Sequence, residues 1–96
     1  MATISFDQQI TATPDTLINQ VGEESVLLNL GSEKYFGLDE IGTSMWQALT
    51  TNGTIQQAYE SLLGEYDVAG DVLRQDLSDL LEKLAANGLI EIKQQA

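Results

Sequence analysis

The chain has 96 residues, 15 of them acidic and four basic, which gives a formal net charge of −11. It contains no cysteine and no histidine, so disulfides, thiol catalysis and the commonest general base and metal ligand are excluded. The length predicts one domain over residues 1–96, and the acidic surface predicts no binding to DNA or RNA, because it repels their phosphates.

Membrane insertion and secretion are not expected from the sequence. No apolar run approaches the roughly 20 residues that a helix needs to cross a bilayer. The segment from Met1 to Asp7 lacks both the basic stretch and the apolar core of a signal peptide. We therefore expect a cytoplasmic protein without membrane contacts.

Short apolar runs separated by turn residues predict three strands in the first part of the chain. They cover Thr16 to Val21, Ser25 to Leu30 and Lys34 to Leu38. Gly31-Ser32 predicts a tight two-residue turn that begins on glycine. Three strands joined by short turns form an antiparallel meander. The weakly patterned segment before Pro14 either adds a further strand or lies across the core.

The rest of the chain predicts three helices. The first runs from Glu40 to Leu49 and follows Asp39, whose carboxylate can accept hydrogen bonds from free amides of the first turn. The second begins at Thr54, and Gln57 three residues later completes a capping box. The third runs from Asp71 to Asn87 and ends at a glycine suited to a left-handed C-terminal cap.

The apolar stripe of the third helix covers about half of the helix circumference at about 100° per residue. That is wider than the stripe of slightly more than 100° that most surface helices need. Either this helix packs on both the sheet and the other helices, or one margin of the stripe lines an open groove. Asp76 lies at such a margin, where it either meets a ligand or faces water. The apolar positions are Val72, Leu73, Leu77, Leu80, Leu81, Leu84 and Ala85.

This order of elements predicts an α+β fold of winged helix-turn-helix type, with a three-stranded antiparallel sheet followed by three helices. Residues Leu89 to Ile92 predict a short final strand. A fold of this kind does not by itself set the function.

No group of residues predicts catalysis, a metal site or a cofactor. Asp39-Glu40 lie at a helix start, where the helix dipole favours negative charge. No loop has the ligand spacing of a calcium site, and no glycine-rich loop ends in the lysine that phosphate binding requires. A nucleophilic serine or threonine needs an adjacent base, which the sequence does not suggest. We therefore expect a protein that is not an enzyme.

The third predicted strand leaves an outer edge with unpaired amide and carbonyl groups. An edge of this kind can accept an extended peptide through main-chain hydrogen bonds, with neighbouring pockets reading alternate side chains. Alternatively, Lys34 and the short length of the strand protect the edge. The sequence alone leaves both interpretations open.

The run from Lys34 to Gly42, followed by Trp46 and preceded by Val26 to Gly31, resembles the PqqD-like family. The resemblance extends over about Leu17 to Ile92. The chain has Asp39 where asparagine is commoner in the family, and either residue caps a helix.

The resemblance implies a small non-catalytic protein that binds the leader of a ribosomally synthesised precursor peptide (a RiPP precursor) and presents it to modifying enzymes. The leader would add as a strand to the third strand and lie against the third helix. The implied peptide-binding residues are Glu33, Lys34, Tyr35, Phe36, Gly37 and Leu38 of the strand and Val72, Leu73, Asp76, Leu77 and Leu80 of the helix.

Among PqqD-like proteins, the run resembles most the stand-alone leader-binding proteins of lasso-peptide systems, which work with a leader protease and a cyclase. Two alternatives remain. One is a peptide chaperone for a radical enzyme, as in pyrroloquinoline quinone biosynthesis. The other is an acidic winged-helix module that docks onto another protein without recognising a leader.

Overall fold

The computed structural model of the protein describes residues 4–93. In chain order the elements are β1 (Gln9–Ala12), β2 (Thr16–Val21), β3 (Glu24–Asn29), β4 (Lys34–Leu38), α1 (Glu40–Thr51), α2 (Ile55–Glu65), α3 (Gly70–Ala86) and β5 (Ile90–Lys93). The predicted α+β order, a three-stranded antiparallel sheet followed by three helices, is confirmed.

Strands β2, β3 and β4 form one antiparallel sheet in that order, so β4 is an edge strand. Leu27 of β3 lies opposite Phe36 of β4, and the next pair along is Leu28 with Tyr35. Leu27 is fully buried in the core, whereas Tyr35 is 78% exposed. Because side chains alternate along a strand, one sheet face packs on the helices. The opposite face, called the outer face below, presents Leu17, Asn19, Val21, Glu24, Val26, Leu28, Tyr35 and Gly37.

The predicted two-residue turn at Gly31-Ser32 is wrong. Asn29 pairs with Lys34, so the loop consists of residues 30–33, and its left-handed backbone lies at Glu33, with φ of 61°. The Asn29 side-chain oxygen accepts hydrogen bonds from both amides of the expected turn, at 2.9 and 3.3 Å. Because this carboxamide satisfies the loop amides, the chain does not need a turn that begins on glycine.

The segment before Pro14 does add a strand, because β1 pairs antiparallel with β5 to form a second, two-stranded sheet. Just upstream, the carbonyl oxygens of Phe6 and Gln8 accept hydrogen bonds from the first amides of α2 at 2.7 and 3.0 Å. The Arg74 guanidinium of α3 lies 4.0 Å from the centroid of the buried Phe6 ring. This segment therefore ties α2 to α3.

The predicted helix caps are confirmed. Asp39 accepts a hydrogen bond from the Gly42 amide at 2.8 Å and so caps α1. Thr54 and Gln57 form the capping box of α2. Gly88 follows α3 with φ of 69°, a left-handed conformation that glycine adopts without steric cost.

The core lies between the helices and the inner face of the three-stranded sheet. The buried Ser25 of β3 and Thr43 of α1 share a hydrogen bond of 2.7 Å, so the sheet and the first helix are also joined by a satisfied polar pair. The largest fully buried side chains are Leu27, Ile55, Leu62, Leu77, Leu81, Leu84 and Leu89.

We expect Thr54→Ala to lower the free energy of unfolding by about 1 kcal/mol. The Thr54 hydroxyl accepts from the Gln57 amide at 3.1 Å, and the Gln57 side chain accepts from the Thr54 amide at 3.0 Å. Alanine leaves the Gln57 amide without its partner. Urea denaturation of the two proteins measures the difference.

Thr50→Ala is the matched control for the capping variant. Its hydroxyl donates to the Trp46 carbonyl inside α1, at 2.9 Å, so its loss leaves no helix end uncapped. We expect a change within about 0.5 kcal/mol. Equal losses in the two variants would contradict a specific contribution from the capping box.

Candidate functional site

A groove lies between the edge strand β4 and helix α3, with the start of α1 at its base. Its volume is about 370 Å³. Phe36 supplies the β4 wall, and Leu80 supplies the apolar part of the α3 wall. We call it the β4–α3 groove, and it is lined by Phe36, Asp39, Ile41, Gly42, Met45, Asp76, Asp79, Leu80 and Lys83.

The α3 residues in this groove are Asp76, Asp79, Leu80 and Lys83. They recur at spacings of three and four along the helix, so they share one face. The rest of the wide apolar stripe packs into the core through residues such as Leu81 and Leu84, both fully buried. The structure therefore identifies which margin of α3 faces the edge strand.

A second, more apolar cavity continues from one end of the groove. We call it the end pocket. It has a volume of about 250 Å³ and shares Ile41, Met45 and Asp76 with the groove. Tyr66 lines it and donates a hydrogen bond to the Ser44 hydroxyl at 2.7 Å, which fixes the ring. The other lining residues are Leu62, Asp67, Val68 and Leu73.

The rim of the groove is acidic. Asp39, Asp76 and Asp79 line it together with a single cation, Lys83. One oxygen of Asp39 is engaged by the Gly42 amide and one oxygen of Asp79 by the Gln75 side chain, at 2.8 and 2.9 Å. A cleft lined mostly by one sign of charge concentrates ligands of the opposite sign. An apolar chain with basic side chains matches this groove best.

One side chain connects the two walls of the groove. While its oxygen holds the loop before β4, the Asn29 amide group donates to the carbonyl oxygens of Asn87 and Gly88 at the end of α3, at 3.1 and 3.3 Å. Gly88 leaves little space there, since an added Cβ would lie 3.0 Å from the Asn29 nitrogen. These hydrogen bonds thus link the β3–β4 hairpin to the end of α3.

Five of the residues predicted to bind a peptide lie at these cavities or on the open edge beside them. Phe36, Asp76 and Leu80 line the groove, and Leu73 and Asp76 line the end pocket. Gly37 lies on the same strand, and an added Cβ there would meet no atom within 4 Å. The outer face of the sheet is therefore open at this position.

The other predicted residues are placed differently. Leu77 is fully buried beneath the groove, and the Leu38 side chain is 5% exposed, so Leu38 offers mainly its backbone. Tyr35 points to the outer face, and Val72 is exposed without lining either cavity. Glu33 and Lys34 are exposed where β4 begins.

Sequence reasoning missed Ile41, Met45, Asp79 and Lys83 as groove residues. Ile41 and Met45 are four residues apart, a spacing typical of a helix face that packs on the core, yet Ile41 is 52% exposed because no other described element covers it. Asp79 and Lys83 are charged helix residues, a type that is mostly exposed to water. They follow Asp76 by three and seven residues, so all three side chains share one face of α3. That spacing indicates a groove wall only when the position of β4 is known.

Other kinds of site find no support within residues 4–93. Among them, no group of histidine, cysteine, aspartate or glutamate side chains could hold a metal ion. No helix in the same range is long and apolar enough to cross a membrane.

Comparison with known proteins identifies related chains. The family model for coenzyme PQQ synthesis protein D (PqqD) matches residues 24–90. The solved structure of TbiB1 in complex with the TbiA(beta) leader peptide is similar at a TM-score of 0.78 and 30% sequence identity, over 83% of this chain and 93% of that chain. No curated protein sequence gives a significant match.

A second solved structure, lasso peptide synthetase B1 complexed with the leader peptide, has the same fold. Its TM-score is 0.77 at 23% identity, over 86% of this chain and 98% of that chain. The family match over residues 24–90 includes β3, β4 and all three helices. Both walls of the β4–α3 groove therefore lie within the matched region.

Proposed function

Because this chain belongs to the PqqD family, we propose that it binds the leader segment of a ribosomally synthesised precursor peptide. One observation supports the proposal above the others: β4 is an open sheet edge with a partly apolar groove beside it. The 30% identical TbiB1 structure holds a leader peptide. The predicted mode of binding is the addition of a peptide strand to Glu33–Leu38.

Main-chain pairing supplies part of the binding energy in this mode. A β-strand has unpaired donors and acceptors along its free edge, and β4 pairs only with β3 within the described part of the chain. An added peptide would lie about 4.8 Å from β4 in the plane of the sheet. That plane leads into the β4–α3 groove, so the peptide would also contact α3.

Side chains supply the selectivity. A peptide paired with β4 points alternate side chains towards the groove. The half-buried Phe36 and Leu80 offer apolar contact, and the end pocket can take one larger apolar side chain. The aspartates of the rim favour basic residues between the apolar ones. Val72 would extend this contact at the start of α3, and Leu77 would support it from below.

The proposed role requires no active site. Holding a leader close to a processing enzyme raises the effective substrate concentration, because the second encounter becomes intramolecular. We propose a leader protease and a cyclase as the enzymes, in lasso-peptide or related RiPP biosynthesis. The run from Lys34 to Gly42 favours that setting over the radical-enzyme pathway suggested by the family description.

Titration with the leader peptide encoded beside the gene tests the proposal. We expect saturable binding of one peptide per chain with a Kd of about 10 μM or tighter, corresponding to at least about 7 kcal/mol. A leader of the same composition in scrambled order is the control and should bind at least about tenfold more weakly. No saturable binding of the native leader at about 100 μM would refute the proposal.

A further inference from the structure

The outer face of the three-stranded sheet is an apolar surface that no other described element covers. Leu17 and Val21 of β2 are 54% and 69% exposed, and Val26 of β3 and Tyr35 of β4 are also exposed. The register places Leu17, Leu28 and Tyr35 in one row across the three strands, with Val21 and Val26 on the same face. An antiparallel sheet commonly leaves one face in water, but that face is then polar. An apolar outer face indicates a contact surface.

A shallow cavity, called the hollow below, lies at one end of this face. Its volume is about 300 Å³, and Val21, Val26 and Gly37 contribute to its lining. It exists because Gly37, directly opposite Val26, has no side chain to cover its neighbour. An inserted apolar side chain would fill this hollow.

The charges around the face are of one sign. Glu24 is the charged residue among the outward strand positions, and Glu23 lies beside it in the turn. Glu33 lies at the other end of the sheet, where β4 begins. The Lys34 side chain belongs to the opposite face, since it alternates with Tyr35. The matching partner therefore has an apolar centre surrounded by basic side chains.

Strand addition at β4 would enlarge this face. A peptide paired with β4 points half of its side chains towards the groove and the other half outward, next to Tyr35 and Gly37. The outward-pointing side chains of the peptide would then extend the outer face by one strand. Peptide and protein would then present one continuous surface.

We propose that the outer face, extended by the outward side chains of the bound leader, is the docking surface for the leader-processing enzyme. This inference rests on the proposed function, because the peptide forms part of the surface. The enzyme contributes a basic-rimmed apolar patch and recognises the loaded protein in preference to the free protein. This protein recognises the leader side chains that point into the groove, and the enzyme recognises those that point outward.

Charge argues against a second copy of this chain as the partner. Each copy has a formal net charge of −11, and a two-fold contact through the outer faces would bring the same glutamates into one interface. Like charges across an interface oppose association. The same glutamates would attract a partner whose contact surface is basic.

The test uses the purified leader protease encoded with the precursor, and a leader that ends before the cleavage site. We expect the leader to tighten binding of the protease at least about fivefold, and the protease to tighten leader binding by the same factor. In Leu17→Lys/Val21→Lys, protease affinity should fall at least about tenfold while leader affinity stays within about twofold. Both side chains are more than half exposed in wild type, so the variant should fold.

Ile18→Lys/Gln20→Lys is the matched control, with the same two added charges on the same strand but on the opposite face. Ile18 is 44% exposed and Gln20 is also exposed at this end of the inner face, so the control should fold as well. It should bind the protease like wild type. The inference is overturned if the outer-face variant binds the protease normally, if the leader does not change protease affinity, or if sedimentation shows wild-type dimers that the variant abolishes. Failure of wild type to bind the leader would instead overturn the proposed function.

Discussion

N-methylation of the leader, one backbone amide at a time, should weaken binding in a pattern that repeats every two residues. In an added strand, alternate amides point towards β4 and the others point away. A methyl group on an amide that faces β4 removes a hydrogen bond worth about 1 kcal/mol and also places a carbon atom in the roughly 4.8 Å between the strands. We expect a loss of at least about tenfold at each such position.

The intervening positions are the internal control, because their methyl groups point away from β4. We expect changes within about threefold there, and isothermal titration calorimetry can measure the whole series. The pattern should extend over about five residues, the length of β4. Uniform tolerance along the leader would show that the peptide does not pair with this edge, even if it binds elsewhere on the protein.

Leu77→Ala should mainly lower stability and Leu80→Ala should mainly lower leader affinity, although the two residues are only three positions apart on α3. Leu77 is fully buried, so its truncation leaves a cavity and should cost about 2–5 kcal/mol of unfolding free energy. Leu80 is half-buried at the groove wall, and its truncation should cost about 1 kcal/mol. Leader affinity should fall about fivefold in Leu80→Ala, because the bound peptide would cover the rest of that side chain.

Urea denaturation and leader titration on the same preparations separate the two effects. After correction for the folded fraction, Leu77→Ala should bind the leader within about twofold of wild type. Val21→Ala is a control with an exposed apolar side chain on the far edge strand, and it should change neither quantity. A large affinity loss in Leu77→Ala with unchanged stability would contradict the placement of this residue in the core.

The elements that the sequence predicted well are those determined by local signals. Lys34–Leu38 has the exact predicted bounds. The Asp39 cap and the Thr54–Gln57 capping box also follow from residues within a few positions of each other. Such interactions need no knowledge of the rest of the fold, so a sequence pattern is sufficient to find them.

The features that escaped prediction depend on partners far away in the chain. The groove margin of α3 is defined by β4, about 40 residues earlier in sequence, and a helical wheel does not contain that information. The turn prediction failed because Asn29 uses its carboxamide both for the loop and for the end of α3. The pairing of β1 with β5 joins the two ends of the described chain.

The link through Asn29 has a thermodynamic consequence for the proposed leader binding. Because this side chain already joins the hairpin loop to the end of α3, that link does not have to form when a ligand arrives, which lowers the entropic cost of binding on the protein side. The larger cost is then the ordering of the peptide. The proline and glycine content of the leader sets the size of that cost, because it sets how many conformations the free peptide samples.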